Sequence, residues 1–303
     1  MPNASDATDP APCPPYPRMS RDHLKLQALI ILWGFTAVLG ALIDLSAYGV
    51  VLYRTAIAAL FLIIWQQQKL LIPSRDALAF TLTGAVIGAH WITFFLAVKV
   101  ANVSICMAGI ATLALWTAIL EPLMVRGRKF RPIDLAFGVV VAIGVATIFQ
   151  SELQFSDGFL IALLSAFLAA VFSIINSFHI KKAHYLVITT YEMLGAALFT
   201  GLYIFLFDPA TKLKPSPSDW LWLFLLAIFG TVVAFSQYIA LLKRLPVFTI
   251  NFVSNLEPVY GILLAALILK DHNDLNPGFW TGAAIIIGSM CAYPLVRRKF
   301  VAR

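Results

Sequence analysis

The strongest constraint on this chain is a succession of ten predominantly apolar runs, each near the length of a membrane-spanning helix. They fall at about 24–43, 48–67, 76–97, 103–124, 132–149, 158–178, 186–207, 219–240, 247–269 and 277–296. A helix needs roughly 20 apolar residues to cross a bilayer. Ten such helices with short loops use most of 303 residues, so no sizeable soluble domain fits. Basic, proline or acidic punctuation separates the runs: Lys69 to Arg75, Arg126 to Pro132, Glu152 to Asp157, Lys181 to His184 and Asp208 to Asp219. The strands of a membrane barrel would be shorter and would alternate polar with apolar residues. These runs do not alternate. In lipid the backbone polar groups must be satisfied within each segment, so helices are the expected form.

Composition agrees. Hydrophobic residues make up 60% and charged residues 12%, against roughly 45–50% and 25% in soluble domains. A soluble fold of this length would need more charge to cover its surface, whereas lipid needs none. The cysteines are Cys13, Cys106 and Cys291, an odd number, and two lie in apolar runs. They form neither a disulfide framework nor a metal-ligand spacing. Residues 1–23 read as a disordered tail, and they lack the apolar run of a secretory signal.

Basic residues set the expected orientation. With the N-terminus in the cytoplasm, seventeen of the 22 lysines and arginines fall on inner flanks and four on outer ones. Arg54 lies inside the second span. This is a strong positive-inside distribution, and it predicts ten helices with both termini cytoplasmic. The inner-loop positions also account for the net charge of +7 without a nucleic-acid partner.

The chain repeats itself. Ala58-Ala59-Leu60-Phe61 recurs as Ala196-Ala197-Leu198-Phe199, and Tyr53 matches Tyr191, a shift of 138. A shift of 144 pairs Lys99 with Lys243, Val103 with Val247, Gly138 with Gly282 and Gly144 with Gly288. The expected units are 24–150 and 151–297, followed by a basic tail at 298–303. Each unit has five helices, an odd number, so the second must enter the membrane from the opposite side. Inverted repeats of this kind are common in secondary transporters, around a central site near the bilayer midplane.

In order, the chain carries Trp33-Gly34, Tyr53-Arg54, the Asn102 to Ala118 stretch, Asn255-Leu256-Glu257-Pro258-Val259 and Gly282 to Gly288. With the ten-helix length and the paired repeats, it resembles the EamA-like group of the drug/metabolite transporter superfamily over residues 26–297. The resemblance implies a 5+5 inverted-repeat carrier of the cell's inner membrane, as a monomer or homodimer. The cavity would draw on both halves, with the fifth and tenth helices peripheral. It also implies export of amino acids or related metabolites. Import or exchange of another small metabolite is the alternative. Relatives commonly carry an acid after the fourth and after the ninth helix. This chain has Asp271 at the second place and Arg126-Gly127-Arg128 at the first. The ninth helix also has Pro258 where the fourth has Ala114.

Several polar residues inside spans are candidates for the site. Glu257 sits near a midpoint and is followed by Pro258, which removes a backbone donor, frees the Ser254 carbonyl and is expected to kink the helix. A carboxylate there pairs, protonates or faces water. The alternative is a structural hydrogen bond. Asn251 and Asn255 are spaced i, i+4 and share a helix face. An ideal helix puts Glu257 off that line. Arg54 binds a substrate carboxylate, pairs with Glu192 or Glu257, or snorkels. His90 can relay a proton or hold an anion, or simply pack. Trp33, Trp91, Trp116 and Tyr238 line an amphipathic cavity or fill space. Glu121-Pro122 ends or kinks its helix, and the paired glycines allow close helix packing.

No phosphate loop of the Walker type is present, so the chain alone is no ATP-driven pump. No metal or cofactor is expected. A membrane-embedded enzyme would show a tight polar catalytic cluster, and none is apparent. A secondary carrier is therefore favoured over an enzyme, channel or scaffold. Proton coupling, exchange and facilitated diffusion all stay open.

Overall fold

The computed structural model describes residues 21–66, 70–270, 273 and 275–301. Among these, every regular element is helical. The helices are α1 (Arg21–Leu42), α2 (Ala47–Gln66), α3 (Ser74–Val100), α4 (Val103–Ile110), α5 (Leu113–Met124), α6 (Pro132–Ser151), α7 (Ser156–His179), α8 (Tyr185–Phe207), α9 (Pro217–Leu225), α10 (Ala234–Leu241), α11 (Val247–Ser254), α12 (Glu257–Ile268) and α13 (Pro277–Val301). A π-helical segment, Leu226–Val233, joins α9 to α10. Nine spans among the described residues are long and apolar enough to cross a membrane. The stretch expected as a tenth is the 25-residue helix α13. It continues to Val301, into the expected basic tail, and α1 begins at Arg21, inside the expected N-terminal tail. Residues 1–20, with Cys13, and Asp271 lie outside the described residues.

Local sequence explains where helices start and stop. Asn102 caps α4 by accepting from the Ile105 amide at 2.8 Å. Ser216 and Asp219 form a reciprocal capping box ahead of α9. Pro132, Pro217 and Pro277 each open a helix, where the missing N–H has no intrahelical partner. Gly127, at φ +85°, turns the chain after α5.

Two expected continuous spans are broken. Val103–Met124 stops at Ala111-Thr112, and Val247–Ile268 stops at Asn255-Leu256. At each break the backbone tightens to i→i−3 bonds: Thr112 N to Gly109 O at 3.1 Å, and Leu256 N to Val253 O at 3.0 Å. The helix then resumes with Trp116 N to Thr112 O at 3.1 Å and Tyr260 N to Leu256 O at 3.2 Å.

In a bilayer, helix association rests on close packing rather than on a hydrophobic drive. Helix α3 sits centrally, against α7 and α8. Gly84 on α3 abuts the Glu192 carbonyl, and Gly195 on α8 abuts the Thr81 carbonyl, so the two backbones touch reciprocally. Helices α6 and α13 pair at the margin: only 28% of the apolar window of Pro132–Ser151 is buried, against 78% in Val103–Met124. Gly144 and Gly282 let them meet, since an added Cβ on Gly282 would stand 2.5 Å from the Gly144 carbonyl. Gly288 has nothing within 4 Å and needs no such space.

Candidate functional site

A cavity enclosing about 630 Å³ opens where both broken spans meet α1, α2, α3, α7 and α10. Of the residues singled out from the sequence, Trp33, Arg54, His90, Trp91, Tyr238, Asn251 and Glu257 all line it. The break at Asn255-Leu256 brings the last two together. On an unbroken helix Asn251 and Glu257 would diverge, but the tightened turn re-phases α12 so that both face the cavity.

Arg54 is the best-anchored charge. Its guanidinium lies 3.8 Å from the centroid of the Trp91 ring, a cation–π contact worth about 2 kcal/mol when desolvated. Nε donates to Thr231 Oγ1 at 2.8 Å, and Nη2 donates to the Gly230 carbonyl at 3.3 Å. Both partners belong to the π segment, whose wider turn presents them toward α2. Guanidinium donors are left over. Glu257 lines the same cavity, and no ion pair within 4 Å joins it to Arg54 among the described residues. No salt bridge joins Arg54 to Glu192 among the described residues. The proposed Arg54–Glu192 pair is therefore absent, because Glu192 faces α3 and α7 rather than the cavity.

The other walls are aromatic and held. Tyr238 donates to Ser173 Oγ at 2.7 Å and meets Trp33 edge-on at 5.4 Å. His90 Nδ1 lies 2.9 Å from Ser165 Oγ, which keeps the imidazole partnered as well as cavity-lining. Asn251 Nδ2 donates to Thr117 Oγ1 at 2.9 Å and so ties α11 to α5.

Two expected lining residues lie elsewhere. Trp116 packs edge-on against Phe167 at 5.3 Å, away from the cavity. Asn255 caps α11, and the break turns it to smaller pockets on the far side. The shared face expected for Asn251 and Asn255 needs a continuous helix, which ends between them. Pro258 occupies the first turn of α12, where it begins a helix instead of kinking one. Glu121 meets Arg128 at 3.3 Å near the end of α5. Thr231, Ser173 and the Ser254 side chain escaped the sequence reading. Hydroxyl residues are common in apolar helices, and nothing in the sequence marks a π turn.

No curated protein matches the chain. Among solved structures 27 chains match, and one crystal structure superposes at TM-score 0.70 with 19% identity, covering 93% of this chain and 100% of that one. That likeness concerns the fold. Residues 156–293 match the family model described as "EamA-like transporter family". Over that stretch of its second half, this multi-pass membrane protein is similar to the EamA-like transporter family, part of the drug/metabolite transporter superfamily.

Proposed function

We propose that the chain is a secondary carrier of the inner membrane, working by alternating access, that exports amino acids or related metabolites. The carrying observation is that Arg54 and Glu257, opposite charges from different halves of the chain, face one aromatic-walled cavity. A zwitterion fits such a site: its carboxylate toward the spare Arg54 donors, its ammonium toward Glu257, its side chain among Trp33, Trp91 and Tyr238. No catalytic role is assigned to any of these groups.

In this reading α13 crosses the membrane as the tenth helix, and the two five-helix units form an inverted repeat. Three structural correspondences support it. The broken spans have the same lengths, eight and twelve residues, in both halves. Tyr53 on α2 donates to the Leu213 carbonyl at 2.6 Å, and its sequence match Tyr191 on α8 donates to the Leu70 carbonyl at 2.9 Å. Helix α8 packs on α3 as α2 packs on the π segment. The positive-inside distribution of the basic residues supports cytoplasmic termini in this reading.

The test is counterflow in liposomes holding the purified protein, screened across the amino acids. Saturable exchange of a zwitterion that is lost in Arg54→Ala and in Glu257→Ala, both still folded, supports the reading. Exchange confined to anions or to uncharged solutes would reject this substrate class.

A further inference from the structure

Glu192 takes no part in the cavity. It is fully buried in the middle of α8, and neither carboxyl oxygen has a hydrogen-bond partner of proper geometry. Its polar neighbour is Asn176 on α7, whose carboxamide is likewise buried and unsatisfied. No cation lies within 4 Å of it among the described residues. An ionised carboxylate there would have nothing to offset its charge. The carboxylic acid is the form this packing accepts.

The surroundings form a track. Ser173, Asn176 and His179 recur every three residues along one face of α7, and all are buried. Ser173 holds the Tyr238 hydroxyl at the cavity wall. His179 Nε2 lies 2.9 Å from Thr83 Oγ1 on α3, while its Nδ1 has no partner. Beyond it, Lys182 and Asp76 meet at 3.0 Å at the surface. In the proposed orientation this is the cytoplasmic end. Polar groups thus run from that surface, past Glu192, to the cavity wall. On the helices packed against α8, the ionisable groups deep in the bundle are Arg54 on α2, His90 on α3 and Tyr238 on α10.

Glu192 also sits at a contact with no slack. Its own backbone carbonyl abuts Gly84 of α3. While these helices stay packed, the carboxyl is sealed from solvent. Separation favours the ionised form, and closure favours the acid.

We propose that Glu192 is a proton-binding site apart from the substrate cavity, loaded from the Asp76–Lys182 end along the α7 face, whose occupancy governs the separation of α3 from α8. One proton binds a Glu192 oxygen and leaves by the same route. The link to helix separation rests on the carrier reading; the proton site does not.

The test is infrared difference spectroscopy of the reconstituted protein between low and high pH, without substrate. We expect a protonated-carboxyl C=O band that disappears in Glu192→Gln and persists in Glu257→Gln. If Glu192→Gln does not fold, Glu192→Asp should move the band instead. A band untouched by either Glu192 variant overturns the site, as does one that responds to sodium in place of pH. In liposomes, Glu192→Gln should retain exchange and lose uptake driven by a pH gradient. Retained gradient-driven uptake overturns the coupling. A wild-type protein that exchanges no tested substrate would count against the carrier reading and leave the spectroscopic result decisive for the site.

Discussion

In Val103–Met124 the helix runs for eight residues, breaks, and resumes for twelve; in Val247–Ile268 it does the same, each boundary 144 residues later. The lining differs. Met107, Ile110 and Leu113 of the first span stand opposite Asn251, Ser254 and Glu257 of the second, and Ala114 stands opposite Pro258. One backbone solution appears twice, but only one copy carries the polar chemistry. The first break therefore does not depend on a proline, and of the two broken spans only the second lends the cavity polar side chains. The same break thus serves two spans of different side-chain chemistry.

The sharpest way to break the comparison is Glu257→Leu, which makes the second copy read like the first. It leaves Arg54 without a carboxylate in the cavity. Arg54 is buried, and it then has no opposite charge in its cavity, although the two groups make no ion pair within 4 Å. We expect a clear fall in the Tm measured in detergent and loss of counterflow. An unchanged Tm would mean that the two copies are interchangeable.

Proline scanning of the first copy comes next. Ala118 lies in the continuous part of α5, so Ala118→Pro should cost about 3 kcal/mol. Ala114 is in the first turn after the break, where the amide has no intrahelical partner, as at Pro258. Ala114→Pro should cost less than about 1 kcal/mol. Comparable Tm losses for the two variants would show that the first break is not equivalent to the second.

A smaller effect attends Asn251→Met, which installs the first copy's residue in the second. It deletes the bond to Thr117 Oγ1, worth about 1 kcal/mol. Thr117 keeps its bond to the Leu113 carbonyl, so no donor is stranded. The KM for exchange should rise several-fold with little change in Tm. The smallest effect belongs to Asn255→Ala. Its Oδ1 is buried without a partner, and it faces away from the cavity. Stability should hold or rise by about 0.5 kcal/mol, with exchange unchanged. Loss of exchange there would return Asn255 to the site.

Much of the fold was legible because lipid imposes a coarse rule: each span must be apolar, long and self-bonded. The observed helices therefore fall within a few residues of the apolar runs, as with α2 at Ala47–Gln66 against an expected 48–67. Candidate lining residues were legible for a related reason. A charge or carboxamide in such a run is costly unless it serves something, which singled out Arg54, Glu257 and Asn251. Asn255 was placed with Asn251 by assuming ideal helical phase, whereas Trp116 took the space-filling alternative against Phe167. The breaks alter that phase locally, and a pattern of residue types does not record it.

The sequence by itself determined that this chain is a bundle of membrane helices, where those helices lie, and which polar residues lie inside them. Hydropathy and the backbone's need for internal hydrogen bonds act along the chain, one segment at a time. Only the tertiary structure decided which polar groups meet. Arg54 is held by Thr231 and Gly230, far away in the chain, because a π turn opens toward it. Glu192, which follows Tyr191 as Arg54 follows Tyr53, was turned to a sealed helix contact instead of the cavity. Those outcomes depend on helix phase and on side-chain volumes packing across several helices at once, and no single segment encodes them.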